Sequence, residues 1–371
     1  MRGMGLISND ELVVRLLLTG YRGLVRPALF TSASGDPEEI HSQVIALLSE
    51  LPDALIQRIQ SLLGARRNPI EVAGIRFPGR VGVAAGLDKD GAAARSWAAL
   101  GFAFAELGTV TAHAQPGNRQ PRIFRLPHSH AIINRMGFNN AGVEALAARL
   151  DQWGVKRGRN MLDGPIGVSI GKTKVTPIDQ ATEDYLFSLR TIAPYADYVA
   201  INVSSPNTPQ LRSLQARDLL SELTGALVNT ARELDPADPV PIFVKLAPDL
   251  SAHDLAGLIE VCEETGVSGL VATNTTTARE FLHPSELHLA SQAGGLSGAP
   301  LTRKALRMVE ATANRTQLPI MGVGGIMTPA DAQAFFDAGA LLVQLYTGFI
   351  FNGPALVRGI NTLTLPDRAR R

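Results

Sequence analysis

Two different hydrophobic rhythms divide this chain. From Val81 onward, short apolar runs rich in Val, Ile, Leu and Gly recur at 81–88, 102–111, 165–172, 197–205, 241–248, 269–276, 319–326 and 341–350. Runs of this length without polar alternation read as strands buried on both faces, which is what a parallel sheet requires. Between them, apolar positions at helical spacing mark 92–100, 183–193, 218–234, 252–264, 301–315 and 329–338. Eight strands alternating with helices predict a closed (β/α)8 barrel, the TIM barrel, rather than an open doubly wound sheet. Two segments break the rhythm, 112–164 after the second strand and 277–300 between the sixth strand and its helix. Insertions of that length inside a compact domain tend to serve a site.

Residues 1–68 follow the helical rhythm alone and predict a small amphipathic domain ahead of a barrel domain over 69–371. Asp36 is placed to cap a helix, Pro37 suits its first turn, and Glu39 sits where a capping-box acid belongs. Ile40, Val44, Leu47, Leu48 and Leu51 then form one apolar stripe. After Pro52-Asp53, residues Leu55, Ile56, Ile59, Leu62 and Leu63 form a second, which ends near Gly64 with a basic tail at Arg66 and Arg67. Two short helices cannot bury both stripes against each other and also pack fully on a barrel, so some apolar surface should face outward. Upstream, Leu12, Val13, Leu16, Leu17 and Leu18 cluster, but Arg15, Arg22 and Arg26 interrupt them. No run approaches the ~18 apolar residues of a membrane span. Asp10 and Glu11 before the cluster, with no clean cleavage site after it, also disfavour a secretory signal. The segment reads as one that lies on a lipid surface.

Composition narrows the function. The 371 residues suit a barrel of about 250 residues with insertions plus a small extra domain. Lys+Arg of 35 against Asp+Glu of 34 leaves a net charge of +1, without the basic excess of a nucleic-acid binder. The single cysteine, Cys262, excludes an internal disulfide and any multi-cysteine metal or iron–sulfur site. A reducing, intracellular setting fits, and no metal is expected.

Barrel enzymes carry their chemistry at the C-terminal ends of the strands, and the unusual polar residues fall there. Gly324-Gly325 and Tyr346-Thr347-Gly348 end strands seven and eight, where barrels commonly bind phosphate. A Gly-Gly pair alone is equally a tight turn; with Gly298 and Thr347 beside it, phosphate is the better reading. Lys89 and Lys245 each follow an apolar strand, and two such lysines in one mouth suit an anion or an electron-rich ring. Asn134, Asn202, Asn207 and Asn274 all fall in candidate site loops. An amide offers both donor and acceptor, matching the alternating edge of a pyrimidine ring.

The motifs A-A-G-L-D-K at 84–89, I-N-R-M-G-F-N-N at 133–140, N-V-S-S-P-N-T at 202–208, G-G-L-S-G at 294–298, V-G-G-I at 323–326 and Q-L-Y-T-G at 344–348 resemble the class 2, quinone-reducing dihydroorotate dehydrogenases. The resemblance runs the length of the barrel, and the N-terminal helices fit it, being absent from the soluble class 1 enzymes. It implies FMN held by Ala85, Gly86, Leu87, Asp88, Lys89, Thr109, Ser169, Asn202, Lys245, Thr273, Gly298, Gly325, Tyr346 and Thr347. Dihydroorotate would lie against the flavin, held by Lys89 and by Asn134, Arg135, Met136, Gly137 and Phe138. Asn202, Asn207, Asn274 and Thr275 would read its ring, and Ser205 would be the catalytic base. His41, Arg125 and Tyr346 match the residues at a quinone tunnel, so the expected partners are a membrane quinone and a lipid surface, not nucleic acid. A peripheral position on the cytoplasmic side of the cell membrane follows. Ser169 departs from the asparagine common in the family, and Ala112-His113 from its proline-containing segment.

Three other readings compete. A class 1 enzyme reducing fumarate or NAD would use cysteine as base, yet Ser205 stands there and Cys262 falls in a candidate helix. A flavin barrel reducing uridine in tRNA would need a basic surface. A silent phosphate binder would leave Ser205 and the asparagines without a purpose.

Overall fold

The computed structural model describes residues 9–64, 68–159, 161–208 and 211–365. In chain order its elements begin with four helices, α1 (Asn9–Gly20), α2 (Arg26–Thr31), α3 (Pro37–Ser49) and α4 (Asp53–Leu63), with a π-helical turn at Tyr21–Val25. A hairpin of β1 (Ile70–Val72) and β2 (Ile75–Phe77) leads to β3 (Val81–Val83), α5 (Ala94–Trp97) and β4 (Phe104–Val110). The first insertion supplies β5 (Ile123–Leu126), β6 (Ala131–Asn134) and α6 (Val143–Gln152). Then follow β7 (Ile166–Ile170), α7 (Ala181–Ile192), β8 (Tyr198–Ile201), α8 (Arg217–Leu234), β9 (Ile242–Leu246), α9 (Ala252–Thr265) and β10 (Gly269–Ala272). The second insertion adds β11 (Gly295–Gly298), and α10 (Thr302–Ala313), β12 (Ile320–Val323), α11 (Pro329–Asp337), β13 (Leu342–Leu345), α12 (Thr347–Asn352) and α13 (Pro354–Asn361) complete the chain.

The eight apolar runs all contribute a strand to one closed parallel barrel, in the order β3-β4-β7-β8-β9-β10-β12-β13 and back to β3. The eighth run is mixed: its strand stops at Leu345, and 347–350 are the start of α12, whose Phe349 and Ile350 extend the apolar run past the end of the strand. The barrel interior is filled by pairing bulky side chains with glycines. A Cβ at Gly167 would lie 2.0 Å from the Tyr198 ring, and one at Gly269 2.2 Å from Phe243. Such positions tolerate no added atom in a close-packed core. Ile70, Val72 and Phe77 of the hairpin pack on Phe104, Tyr198, Phe243 and Leu342, closing the end at which the strands begin. Function is left to the other end.

There the two insertions meet. β11 pairs antiparallel with β6, and β6 with β5, so that Gly295 lies opposite Asn134. This three-stranded sheet is separate from the barrel, and it brings the 134–138 loop beside the strand ends.

The N-terminal helices lie along the flank of the barrel. Asp36 caps α3 by accepting from the backbone N–H of Glu38 and Glu39, with Pro37 in the first turn. Arg358 of α13 pairs with Asp10 at 2.8 Å, Tyr21 donates to the Ile350 carbonyl at 2.8 Å, and Ser96 donates to the Leu48 carbonyl at 2.6 Å. Ile40 is buried, yet α1, the π-helical turn, α3 and α4 each leave an apolar side chain in the open: Leu16, Leu24, Leu47 and Leu62 are all 64–75% exposed. The basic tail at Arg66 and Arg67 lies outside the described residues.

Candidate active site

A cavity of about 960 Å³ opens at the C-terminal ends of the barrel strands. Of the residues expected there, Ala85, Gly86, Lys89, Thr109, Asn134, Met136, Gly137, Phe138, Asn202, Ser205, Asn207, Lys245, Thr273, Asn274, Thr275, Gly298, Gly325, Tyr346 and Thr347 line it together. Four do not. Leu87 lines a second cavity instead. The Asp88 carboxylate is buried behind the wall, accepting from the Ala93 N–H and the Trp97 indole at 3.0 Å each; burial nevertheless holds its pKa up, at about 6. Arg135 turns outward, donating to Gln292 and to the Pro121 carbonyl at 2.8 Å each and lying over the Phe124 ring. Ser169 sits one layer back, its hydroxyl 2.9 Å from that of Thr109.

Opposite walls of the cavity have different chemistry. On one, Gly298, Gly324 and Gly325 present bare backbone beside Thr347. Gly324 and Gly325 have φ of 122° and 75°, which β-carbons disfavour, and a Cβ at Gly325 would fall 2.4 Å from the Thr302 nitrogen. Such a surface admits an anionic group close to the main chain. On another wall the asparagines form a bonded set. Asn274 donates to Asn202 at 3.1 Å and to the Ser204 hydroxyl at 3.0 Å, Asn202 donates to Thr109 at 3.0 Å, and Asn207 donates to Asn134 at 3.2 Å. Ser205 follows β8 and is 5% exposed; its hydroxyl accepts from the Asn207 N–H at 3.3 Å. Its segment is fixed from outside, by Tyr185 donating to the Asn202 carbonyl and Arg212 to that of Ser204.

Both lysines enter the cavity. Removal from water lowers the Lys89 pKa to about 8, a shift that Glu38 opposes and Arg122 reinforces. The Lys245 ammonium lies 3.5 Å from Glu106, a wholly buried carboxylate that also accepts from Gln344 at 2.6 Å and from the Tyr198 hydroxyl at 3.2 Å. Gln344 lines the cavity and keeps its Oε1 buried without a partner among the described residues. The sequence reading missed Glu106 and Gln344 as site residues. A carboxylate inside the apolar run F-A-E-L-G was the available signal, since an unpaired charge cannot stay buried there. Cys262 is buried in α9, where burial pushes its thiol up to about 12, so it is no thiolate and takes no part here.

The second cavity, about 820 Å³, lies between the N-terminal helices and the barrel. Phe30, Ile40, Val44, Ile132 and Phe349 make it largely apolar, and His41, Arg125, Asn134 and Tyr346 are among its polar members. Asn134 and Tyr346 belong to both cavities. Arg125 donates to the carbonyls of Gly35 and Phe30 and stacks on the Phe30 ring at 4.3 Å. Burial, then repulsion from Lys89, lowers the His41 pKa to about 4 against the pull of Glu38, so its imidazole is neutral near pH 7. Among the described residues, no cluster of His, Cys, Asp and Glu could hold a metal ion.

The family model for dihydroorotate dehydrogenase matches residues 69–364, nearly all of the barrel. The chain belongs to the dihydroorotate dehydrogenase family. A protein of Chloroflexus aurantiacus named dihydroorotate dehydrogenase (quinone) is 49% identical over 354 residues, covering 93% of this chain and 96% of its own. One of the same name from Salinispora arenicola is 51% identical over 346 residues, covering 91% and 97%. The crystal structure of the dihydroorotate dehydrogenase of Eimeria tenella in complex with ferulenol superposes with a TM-score of 0.79 at 36% identity, covering 91% of this chain and 93% of that one. The matches to the two proteins named for quinone cover more of this chain than residues 69–371 alone, so they extend into the N-terminal helical region.

Proposed function

We infer that this chain oxidises dihydroorotate to orotate, a step of pyrimidine biosynthesis, and passes the electrons through FMN to a membrane quinone. The observation that carries this reading is the pair of cavities, one polar and one apolar, that share Asn134 and Tyr346 as a common wall. A charged substrate and a lipid-soluble acceptor can then approach one redox group from two directions.

The residues fit a flavin. The bare backbone at Gly298, Gly324 and Gly325 suits the single terminal phosphate of FMN, and the unpartnered Gln344 oxygen and the Lys245 ammonium suit a polar ring edge. When bound, the flavin supplies the two-electron acceptor for the hydride that leaves C6 of the substrate. The protein does the rest. Lys89 holds the substrate carboxylate, with the 134–138 loop closing over it. Asn202, Asn207, Asn274 and Thr275 pair with the alternating N–H and C=O groups of the ring. Ser205 takes the proton from C5 while the C5–C6 double bond forms, and its own proton moves outward. An alcohol is a poor base unless relieved of its proton in this way. That proton leaves through water, and the Thr208 hydroxyl, three residues on and buried without a partner among the described residues, is free to hold such a water.

Exposed leucines on the N-terminal segments, with Arg15 and Arg58 among them, support a peripheral seat on the cell membrane. No described helix is long and apolar enough to cross one. The test is direct. The purified protein should be yellow with one FMN per chain, and dihydroorotate should bleach it without oxygen. Quinone, not fumarate or NAD, should restore the colour; restoration by either of the others, or no bleaching, overturns the reading.

A further inference from the structure

One buried ion pair joins the N-terminal helices to the substrate side of the barrel. Arg122, in the first insertion, donates through Nε to both Glu38 oxygens at 3.1 and 3.0 Å and through Nη2 at 2.6 Å. The pair is nearly sealed from water, its side chains 9% and 15% exposed. Glu38 lies in the first turn of α3, one turn before His41. The same guanidinium reaches the other way: Nη1 donates to the carbonyls of Pro116 and Asn118 at 2.6 and 2.7 Å. Asn118 in turn donates to the carbonyls of Arg135 and Asn207 at 3.0 and 3.1 Å. Asn207 carries the backbone N–H bonded to the Ser205 hydroxyl and the amide bonded to Asn134.

We propose that Glu38 is a positioning residue for the substrate loops, acting through Arg122 and Asn118 on the segment that carries Ser205. The physical warrant is the charge. A guanidinium this buried needs its carboxylate, and a buried pair with one partner removed is strongly destabilised. Without Glu38, Arg122 must turn toward water, and the turn at 116–118 loses two charge-assisted bonds. That turn is tightly seated: a Cβ at Gly117 would meet the Met136 carbonyl at 2.4 Å. Its movement is therefore passed to the 134–138 loop and, through Asn118, to Asn207. An N-terminal helix that reads as part of the acceptor side thus also sets the geometry in which dihydroorotate loses its proton.

This inference rests on the assignment of dihydroorotate as substrate, and flavin reduction without any quinone separates the two. If dihydroorotate does not reduce the wild-type flavin, the substrate assignment fails. If wild type is reduced, Glu38→Gln should weaken orotate binding about tenfold and slow anaerobic reduction about tenfold, with flavin content unchanged. Asn118→Ala touches none of the N-terminal helices and should reproduce the loss. The double variant should be no worse than Asn118→Ala alone, because both changes cut the same chain. Glu38→Asp should recover much of the loss, and Glu39→Gln, on the exposed side of the same turn, should behave as wild type. Should Glu38→Gln fail to fold, Arg122→Lys keeps the charge while losing the fork and takes its place in the comparison. Wild-type orotate affinity and reduction rate in Glu38→Gln, or losses that simply add in the double variant, would sink the proposal.

Discussion

The two cavities touch at Asn134 and Tyr346 but are built from different material. In the barrel mouth most polar groups are set near strand ends and tied to one another: Lys245 to Glu106, Asn202 to Thr109 and Asn274, Asn207 to Asn134. The second cavity borrows half its wall from helices outside the barrel, is mostly apolar, and keeps its histidine neutral near pH 7. A rigid polar constellation suits a reaction in which a proton and a hydride leave adjacent carbons, since misplacement there is costly. An apolar slot bounded by helices suits a ring that arrives on a hydrocarbon tail. The difference teaches that the two half-reactions should be separable by mutation except at the shared wall of Asn134 and Tyr346 and along the Glu38–Arg122 connection.

The strongest break should come from Ser205→Ala. Flavin reduction by dihydroorotate should slow by ~10² or more, the scale of losing a general base. Reoxidation of the chemically reduced enzyme by quinone should keep its rate, and stopped-flow measurement of each half-reaction checks both. Equal slowing of the two would mean that Ser205 holds the site together rather than moving a proton. Arg125→Ala should do the reverse. Quinone reoxidation should lose roughly 10–50-fold in kcat/KM, the worth of hydrogen bonds from a charged donor, while reduction by dihydroorotate is unchanged.

The two regions were also unequally legible in the sequence. Strands buried on both faces leave continuous apolar runs, so the barrel was readable, and residues at strand ends inherit their place from the strand. That is why Lys89, Asn202, Ser205 and Lys245 could be assigned to one mouth. What a run cannot reveal is pairing between distant segments. Nothing local in 112–164 or 277–300 announces that Gly295 will lie opposite Asn134, or that α6 packs within the first of them. Nothing local marks Glu38 either, because its partner Arg122 is distant in the chain and becomes a partner only once α3 docks. A sequence reading accordingly puts the whole substrate site after Val81. The buried ion pair makes removal of the N-terminal helices costly to flavin reduction as well as to quinone turnover.

A milder test uses pH. Burial holds Lys89 near 8, with Glu38 and Asp90 raising the value and Arg122 lowering it. The protonated ammonium, present below that pH, is the form that binds a carboxylate. Orotate affinity should therefore be flat below about pH 7 and fall by up to about tenfold per unit above pH 8, until the bound-state value is reached. Lys89→Arg keeps its charge throughout, and its profile should be flat over the same range. A wild-type profile flat to pH 9.5 would remove Lys89 from the carboxylate site.

The smallest effects should come from the outer face of the N-terminal helices. Leu16, Leu24, Leu47 and Leu62 project from four different segments and contribute little to the fold, being mostly exposed. If this face rests on lipid, each leucine transfers only the part of its side chain that water now covers, and only to interfacial depth. Replacement by serine should then cost about three- to fivefold in partitioning onto anionic vesicles per residue, well short of the full burial value. Combined replacement of all four should nearly multiply these factors, since separated sites act independently. Flavin reduction by dihydroorotate should not change, and neither should turnover with a short, water-soluble quinone. Turnover with a long-tailed quinone in vesicles should fall in step with vesicle binding, because the second cavity is then reached less often from the bilayer. Sedimentation with vesicles and both turnover assays on the same four-serine variant decide the matter. Intact vesicle binding would show that lipid contacts a different face. Lost binding with undiminished long-tailed quinone turnover would show that the cavity does not fill from the membrane through this surface.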